Sequence, residues 1–61
     1  NVSRYVNEAR IAAARAALAH GENVTSAMLS SGFNTKSNFN REFLRVTGKS
    51  PRDWLTSSKP L

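Results

Sequence analysis

Apolar positions recur at helical spacing in four separate stretches of the chain, each closed by a glycine or a polar break. The first spans residues 3–20, with Ser3 as its expected N-cap and no internal glycine or proline. His20-Gly21 suits its end, with Gly21 in the left-handed position just past the helix and His20 a favoured cation near the C-terminus. Its apolar residues form two stripes. Val6, Ala9, Ala13 and Ala17 fall on one face; Ile11, Ala14 and Leu18 fall on another, about 100° away. A helix with two apolar stripes packs on two sides, and the second side calls for a partner beyond the rest of this chain. The alternative is that alanine serves here as a good helix former and one stripe faces water.

After the polar loop Glu22-Asn23, Val24 reads as the apolar residue before an N-cap at Thr25. The second helix then runs over 25–31, with Ala27, Met28 and Leu29 available for burial. Gly32 ends it and Phe33 anchors the turn in the core. Asn34 or Thr35 caps a third helix over 35–47, where Phe39, Phe43 and Val46 make one apolar stripe. Its opposite side carries Ser37, Asn40, Arg41 and Leu44, with Lys36 at the start and Arg45 on the flank. Gly48 closes it. Ser50-Pro51 opens a fourth helix over 51–56, with Asp53 in its first turn and Trp54 turned toward the phenylalanines. From Thr56 to Leu61 the chain is polar and contains proline, so it is expected to fray. The pattern predicts an all-α, homeodomain-like helix-turn-helix bundle of about four helices, in which 35–47 is the recognition helix.

Composition narrows the chemistry. Sixty-one residues make one small domain with a thin core. The net charge is +5, and it is uneven. Arg4, Arg10 and Arg15 against Glu8 and Glu22 leave +1 over 1–35. Lys36, Arg41, Arg45, Lys49, Arg52 and Lys59 against Glu42 and Asp53 leave +4 over 36–61. Such a skew suits a nucleic-acid partner, although charge alone also fits an ordinary solvated surface. The chain has no cysteine, so disulfides and thiolate metal sites are excluded. No apolar run is long enough to span a bilayer, and no secretory signal stands out. Asn1-Val2-Ser3 and Asn23-Val24-Thr25 match the glycosylation triplet, a pattern that also arises by chance. The start at Asn1 rather than methionine suggests a piece of a longer protein.

Four carboxylates, one histidine and no cysteine offer neither a catalytic pair nor a metal-ligand spacing. Each of the three glycines follows a helix, so no phosphate-cradling loop exists. An enzyme is not expected, nor is a cofactor or a metal. The third helix offers different chemistry. Lysine and arginine hydrogen-bond guanine edges, asparagine pairs with adenine, and serine serves bases or phosphates. Lys36, Ser37, Asn40 and Arg41 are therefore the expected base readers. Thr25, Thr35, Arg45, Lys49 and Arg52 are the expected phosphate contacts, helped by backbone N–H groups that open the second and fourth helices.

Gly32-Phe33, then Ser37, Phe39, Arg41 and Phe43, then Gly48-Lys49-Ser50-Pro51 followed by Trp54, resemble the second helix-turn-helix of the AraC/XylS transcription regulators. Tyr5-Val6-Asn7, Arg10-Ile11, Ala14, Ala17 and Leu18 resemble the linker helix that precedes it. The likeness covers residues 4–55. It implies sequence-specific binding to double-stranded promoter DNA, in the cytoplasm at the nucleoid. It implies a linker helix over 1–20 and a helix-turn-helix subdomain over 21–56, and the polar composition beyond them makes 57–61 a flexible tail. It also implies a first helix-turn-helix unit and a sensing domain outside this segment. Carried over residue by residue, the base readers are again Lys36, Ser37, Asn40 and Arg41. The chain departs from the family at Ala27-Met28, where an apolar residue then alanine is usual, at Asn38, where an aromatic is common, and at Leu44, where lysine or arginine is usual. Leu44 and the uncovered stripe of the first helix motivate the alternative: a module that contacts RNA polymerase or a partner domain and binds DNA weakly.

Overall fold

A computed structural model describes residues 2–58. It contains α1 (Val2–Ala19), α2 (Val24–Ser30), α3 (Lys36–Thr47) and α4 (Pro51–Ser58), and no strand among the described residues. The all-α helix-turn-helix reading therefore holds. α1 packs against α2 and α3, and α4 packs against α3.

The helix ends show what the chain does locally. α1 begins at Val2, so Ser3 lies inside the first turn and does not cap it. Its other end closes through Gly21 N–H to the Leu18 carbonyl and Glu22 N–H to the Ala17 carbonyl, both at 3.1 Å. Those two bonds satisfy carbonyls that the helix leaves open. α2 is capped by Asn23, not by Thr25. The Asn23 side chain accepts from Ser26 N–H at 2.7 Å, and its carbonyl takes the first helical bond from Ala27 N–H at 2.9 Å. Asparagine outranks threonine as an N-cap, which moves the helix start back onto Val24. α2 ends like α1, with Phe33 N–H bonded to the Met28 carbonyl and Gly32 N–H to that of Leu29. Gly32 sits at φ +98°, where a side chain is strained. Thr35 caps α3, accepting from Asn38 N–H at 3.2 Å. Ser50 caps α4, accepting from Asp53 N–H at 3.2 Å. α4 continues through Thr56 and Ser57 to Ser58, beyond the expected end at 56; residues 59–61 of the expected tail lie outside the described ones.

The core is built from Ile11, Ala14, Ala17, Leu18, Ala27, Phe33, Phe39 and Phe43. On α1, then, the Ile11–Ala14–Leu18 stripe is the covered one, joined by Ala17. Val6 is half-buried, and Ala9 and Ala13 are exposed. All four buried residues lie in the C-terminal half of α1, and its N-terminal turns leave Val2 and Tyr5 exposed. On α2, Ala27 takes the buried place and Met28 packs half-buried beside it, while Leu29 faces solvent. A seven-residue helix turns fewer than two full times, so it buries only a narrow strip.

Four aromatics then run in series from the turn to α4. Phe33 meets Phe39 edge-on at 5.3 Å between ring centres, Phe39 meets Phe43 at 5.6 Å, and Phe43 meets Trp54 edge-on at 6.0 Å. Tilted and edge-on rings are the favoured geometry for aromatic pairs. Trp54 is half-buried, less covered than its size suggests, because it lies at the end of the series on the short last helix.

Candidate nucleic-acid interface

The aromatic series fixes the back of α3. Phe39 and Phe43 are fully buried, so the helix cannot roll without opening the core. The opposite face is thereby set. Ser37, Asn40 and Arg41 are exposed on it and Lys36 is exposed at the helix start, as the sequence predicts. Lys36, Asn40 and Leu44 follow one another at steps of four residues, each about 6 Å along the axis.

Lys36, Asn40, Arg41 and Leu44 line one shallow groove with Val24 of α2 and with Ser50, Pro51 and Arg52 at the start of α4. Three cations border it and no carboxylate does. Arg52 thus belongs beside the reading face. Ser37 stands on the same helix just outside the groove lining. Thr25, Thr35, Arg45 and Lys49 are also not among its lining residues. Val24, Leu44 and Pro51 give the groove an apolar floor. The sequence pointed to neither Val24 nor Pro51 as a site residue, since both read as helix-start signals; it placed Leu44 on the outward face, as a family departure that motivates a protein contact.

The cations differ in how much charge they keep for a ligand. Arg45 is held inside the chain. Its Nε and Nη2 donate to Glu42 Oε1 at 3.0 and 2.8 Å, and its Nη1 lies 3.6 Å from Glu8 Oε2. Glu42 is nearly buried, and its carboxyl is held below the ordinary value of 4.5. The Arg45 hydrogen bonds are the main cause; burial opposes them, and the Asn7 amide and the Arg41 charge assist. Arg45 is correspondingly raised above its ordinary value, first by the Glu42 bond. Asn7 and Glu8 come from α1, so this cluster ties α1 to the back edge of the reading helix. Sequence reading missed it: Glu42 entered only the charge balance, and Arg45 three residues on is the one local signal of a pair.

Arg41 is oriented more lightly. Its Nη2 donates to Asn38 Oδ1 at 2.7 Å, and its Nε is 3.8 Å from Glu42. Asn38, where the resembling family has an aromatic, thus steers an expected base reader. Lys49 Nζ donates to Ser57 Oγ at 2.7 Å, and both groups stay exposed. The Thr35 hydroxyl oxygen is occupied as an N-cap acceptor, which leaves its O–H able to donate.

Among the described residues no cluster of histidine or carboxylate side chains suits a metal ion, and no helix is long and apolar enough to cross a membrane. A family model described as a helix-turn-helix domain matches residues 1–57, nearly the whole chain. No curated protein and no solved structure matches it.

Proposed function

Because the chain belongs to the AraC-type helix-turn-helix family of DNA-binding transcription regulators, we propose that it binds promoter DNA sequence-specifically, with α3 in the major groove. Lys36, Ser37, Asn40 and Arg41 read base edges. Thr25, Thr35, Lys49 and Arg52 touch phosphates, and Arg45 adds attraction from within its ion pairs. The observation that carries this reading is the groove on the outward face of α3, bordered by Lys36, Arg41 and Arg52 with no acid among its lining residues. A helix fixed at its back by buried phenylalanines and cationic at its front is what a major-groove reader requires.

α1 serves as the linker to a first helix-turn-helix unit. Its uncovered residues support this: Val2, Tyr5 and Ala9 are exposed in its N-terminal half, and Ala13 just past its middle. The partners are then double-stranded DNA, that first unit and a sensing domain, and the site of action is the bacterial nucleoid.

The test is binding by the full natural protein. Selection from a random duplex pool should enrich a defined sequence, and affinity for it should fall steeply with salt. Asn40→Ala or Arg41→Ala should flatten the preference at one or two positions, by about 1–3 kcal/mol for a lost bidentate contact. Absence of any preferred duplex at low salt would overturn the reading.

A further inference from the structure

We propose that Leu44 is a specificity-determining residue that reads the C5-methyl group of a thymine. The proposal rests on the major-groove reading above and goes one step past it. Leu44 is 54% exposed, on a helix whose other outward residues are polar. It is not stranded among charges. It lines the same groove as Lys36, Asn40 and Arg41, over a floor shared with Val24 and Pro51.

Its place suits one occupant. The groove's charged rim is wholly cationic, which favours a polyanion over a neutral or basic protein surface. Leu44 stands four residues beyond Asn40, one helical turn further along the same face. Steps of about 6 Å between Lys36, Asn40 and Leu44 are close to two base pairs of duplex rise, so the three address successive parts of one site. Asn40 and Arg41 supply hydrogen-bonding groups, which match purine edges. Leu44 supplies only apolar surface. The one apolar feature that a base pair shows in the major groove is the thymine methyl. A leucine there favours a T·A pair by covering that methyl and disfavours cytosine, whose amino donor it leaves unpaired.

The test uses the full natural protein and the duplex enriched by selection. Each thymine is replaced in turn by deoxyuridine, which removes the methyl and keeps the base pairing. At one thymine the replacement should weaken binding about four-fold, as expected for one methyl group leaving water. Leu44→Ala should lose that sensitivity and keep its salt dependence and its response to Asn40→Ala. Leu44→Met, which retains apolar surface, should keep it. Leu44 is exposed, so circular dichroism should show both variants folded. A flat deoxyuridine scan, or one unchanged by Leu44→Ala, overturns the proposal while leaving DNA reading by Asn40 and Arg41 intact. Loss of transcription activation in Leu44→Ala with an unchanged scan also overturns it, in favour of a protein contact. Failure to enrich any duplex overturns the major-groove reading itself.

Discussion

Arg45 places two hydrogen bonds on a single carboxylate oxygen of Glu42, from Nε at 3.0 Å and Nη2 at 2.8 Å. The carboxylate is nearly buried and the guanidinium is about one-third exposed, so the pair sits at the margin of the core. Charge-assisted bonds of this kind hold the ionised form. The folded Glu42 carboxyl therefore ionises below 4.5, while the unfolded one does so near it. A depressed acid contributes stability that is present above its unfolded value and is lost as pH falls through the folded value. Arg45 is raised above the ordinary arginine range, so its share is fully present at neutral and acid pH and adds no slope there. Melting temperature should accordingly drop as pH falls below 4.5. In Glu42→Gln it should start lower at pH 7 and change less on acidification. Thermal melts by circular dichroism across this range decide it; parallel curves for the two proteins would remove Glu42 as the titrating group.

Phe39 is the middle of the aromatic series and is fully buried. Its removal leaves a cavity between Phe33 and Phe43 and frees the back of α3. Phe39→Ala should cost about 3–5 kcal/mol, most of the stability of so small a domain. Trp54→Ala should cost less, because Trp54 is only half-buried. Chemical denaturation of the two variants should rank them in that order.

Much of this arrangement was legible in the sequence because it is written in local rules. Phe39, Phe43 and Val46 repeat at helical spacing, Gly32 and Gly48 mark ends that need positive φ, and Ser50-Pro51 states a helix start. The outward face of α3 follows from the same periodicity. What was not legible depends on competition or on distant partners. Asn23 and Thr25 are both capping residues two positions apart, and only the stronger cap decides the start of α2. Glu42 and Arg45 are near neighbours in sequence, but Asn7 and Glu8, which complete their cluster, come from another helix. The groove likewise needs α2, α3 and the start of α4 together.

The cap at α2 gives a direct comparison. Asn23→Ala removes the acceptor for Ser26 N–H and should destabilise by about 1 kcal/mol. Thr25→Ala, at an exposed position inside the first turn, should stay within about 0.5 kcal/mol. Equal losses in urea melts would contradict the assignment of Asn23 as cap.

Gly32 is constrained twice. Its φ of +98° disfavours any side chain, and a Cβ there would lie 3.3 Å from Arg10 Nε. Arg10 rests over the Phe33 ring, 6.0 Å from its centre, so it cannot withdraw without loosening that contact. Gly32→Ala should therefore destabilise by more than the roughly 1 kcal/mol of backbone strain alone. At Gly48, φ is +79° and a Cβ would meet nothing within 4 Å. Gly48→Ala should show the strain without the clash, and Arg10→Ala should narrow the gap between the two glycine variants. A Gly32→Ala loss no larger than that of Gly48→Ala would show that Arg10 moves aside freely.

Arg52 and Arg45 carry the same charge one helix apart, yet they should fail in different assays. Arg52 borders the groove, exposed at the start of α4, where a phosphate can reach it. Arg45 is bound to Glu42 and faces Glu8 of α1. Arg52→Ala should weaken DNA binding about equally for all sequences and lower the steepness of the salt dependence by about one unit, with little change in melting temperature. Arg45→Ala should lower the melting temperature, because it leaves Glu42 nearly buried without its main partner, and it should change the salt slope less. Filter binding at a series of salt concentrations, set beside thermal melts of the same variants, separates the two roles. A steeper loss of salt dependence in Arg45→Ala than in Arg52→Ala would show that DNA draws Arg45 out of its ion pairs, and the α1–α3 tie would then open on binding.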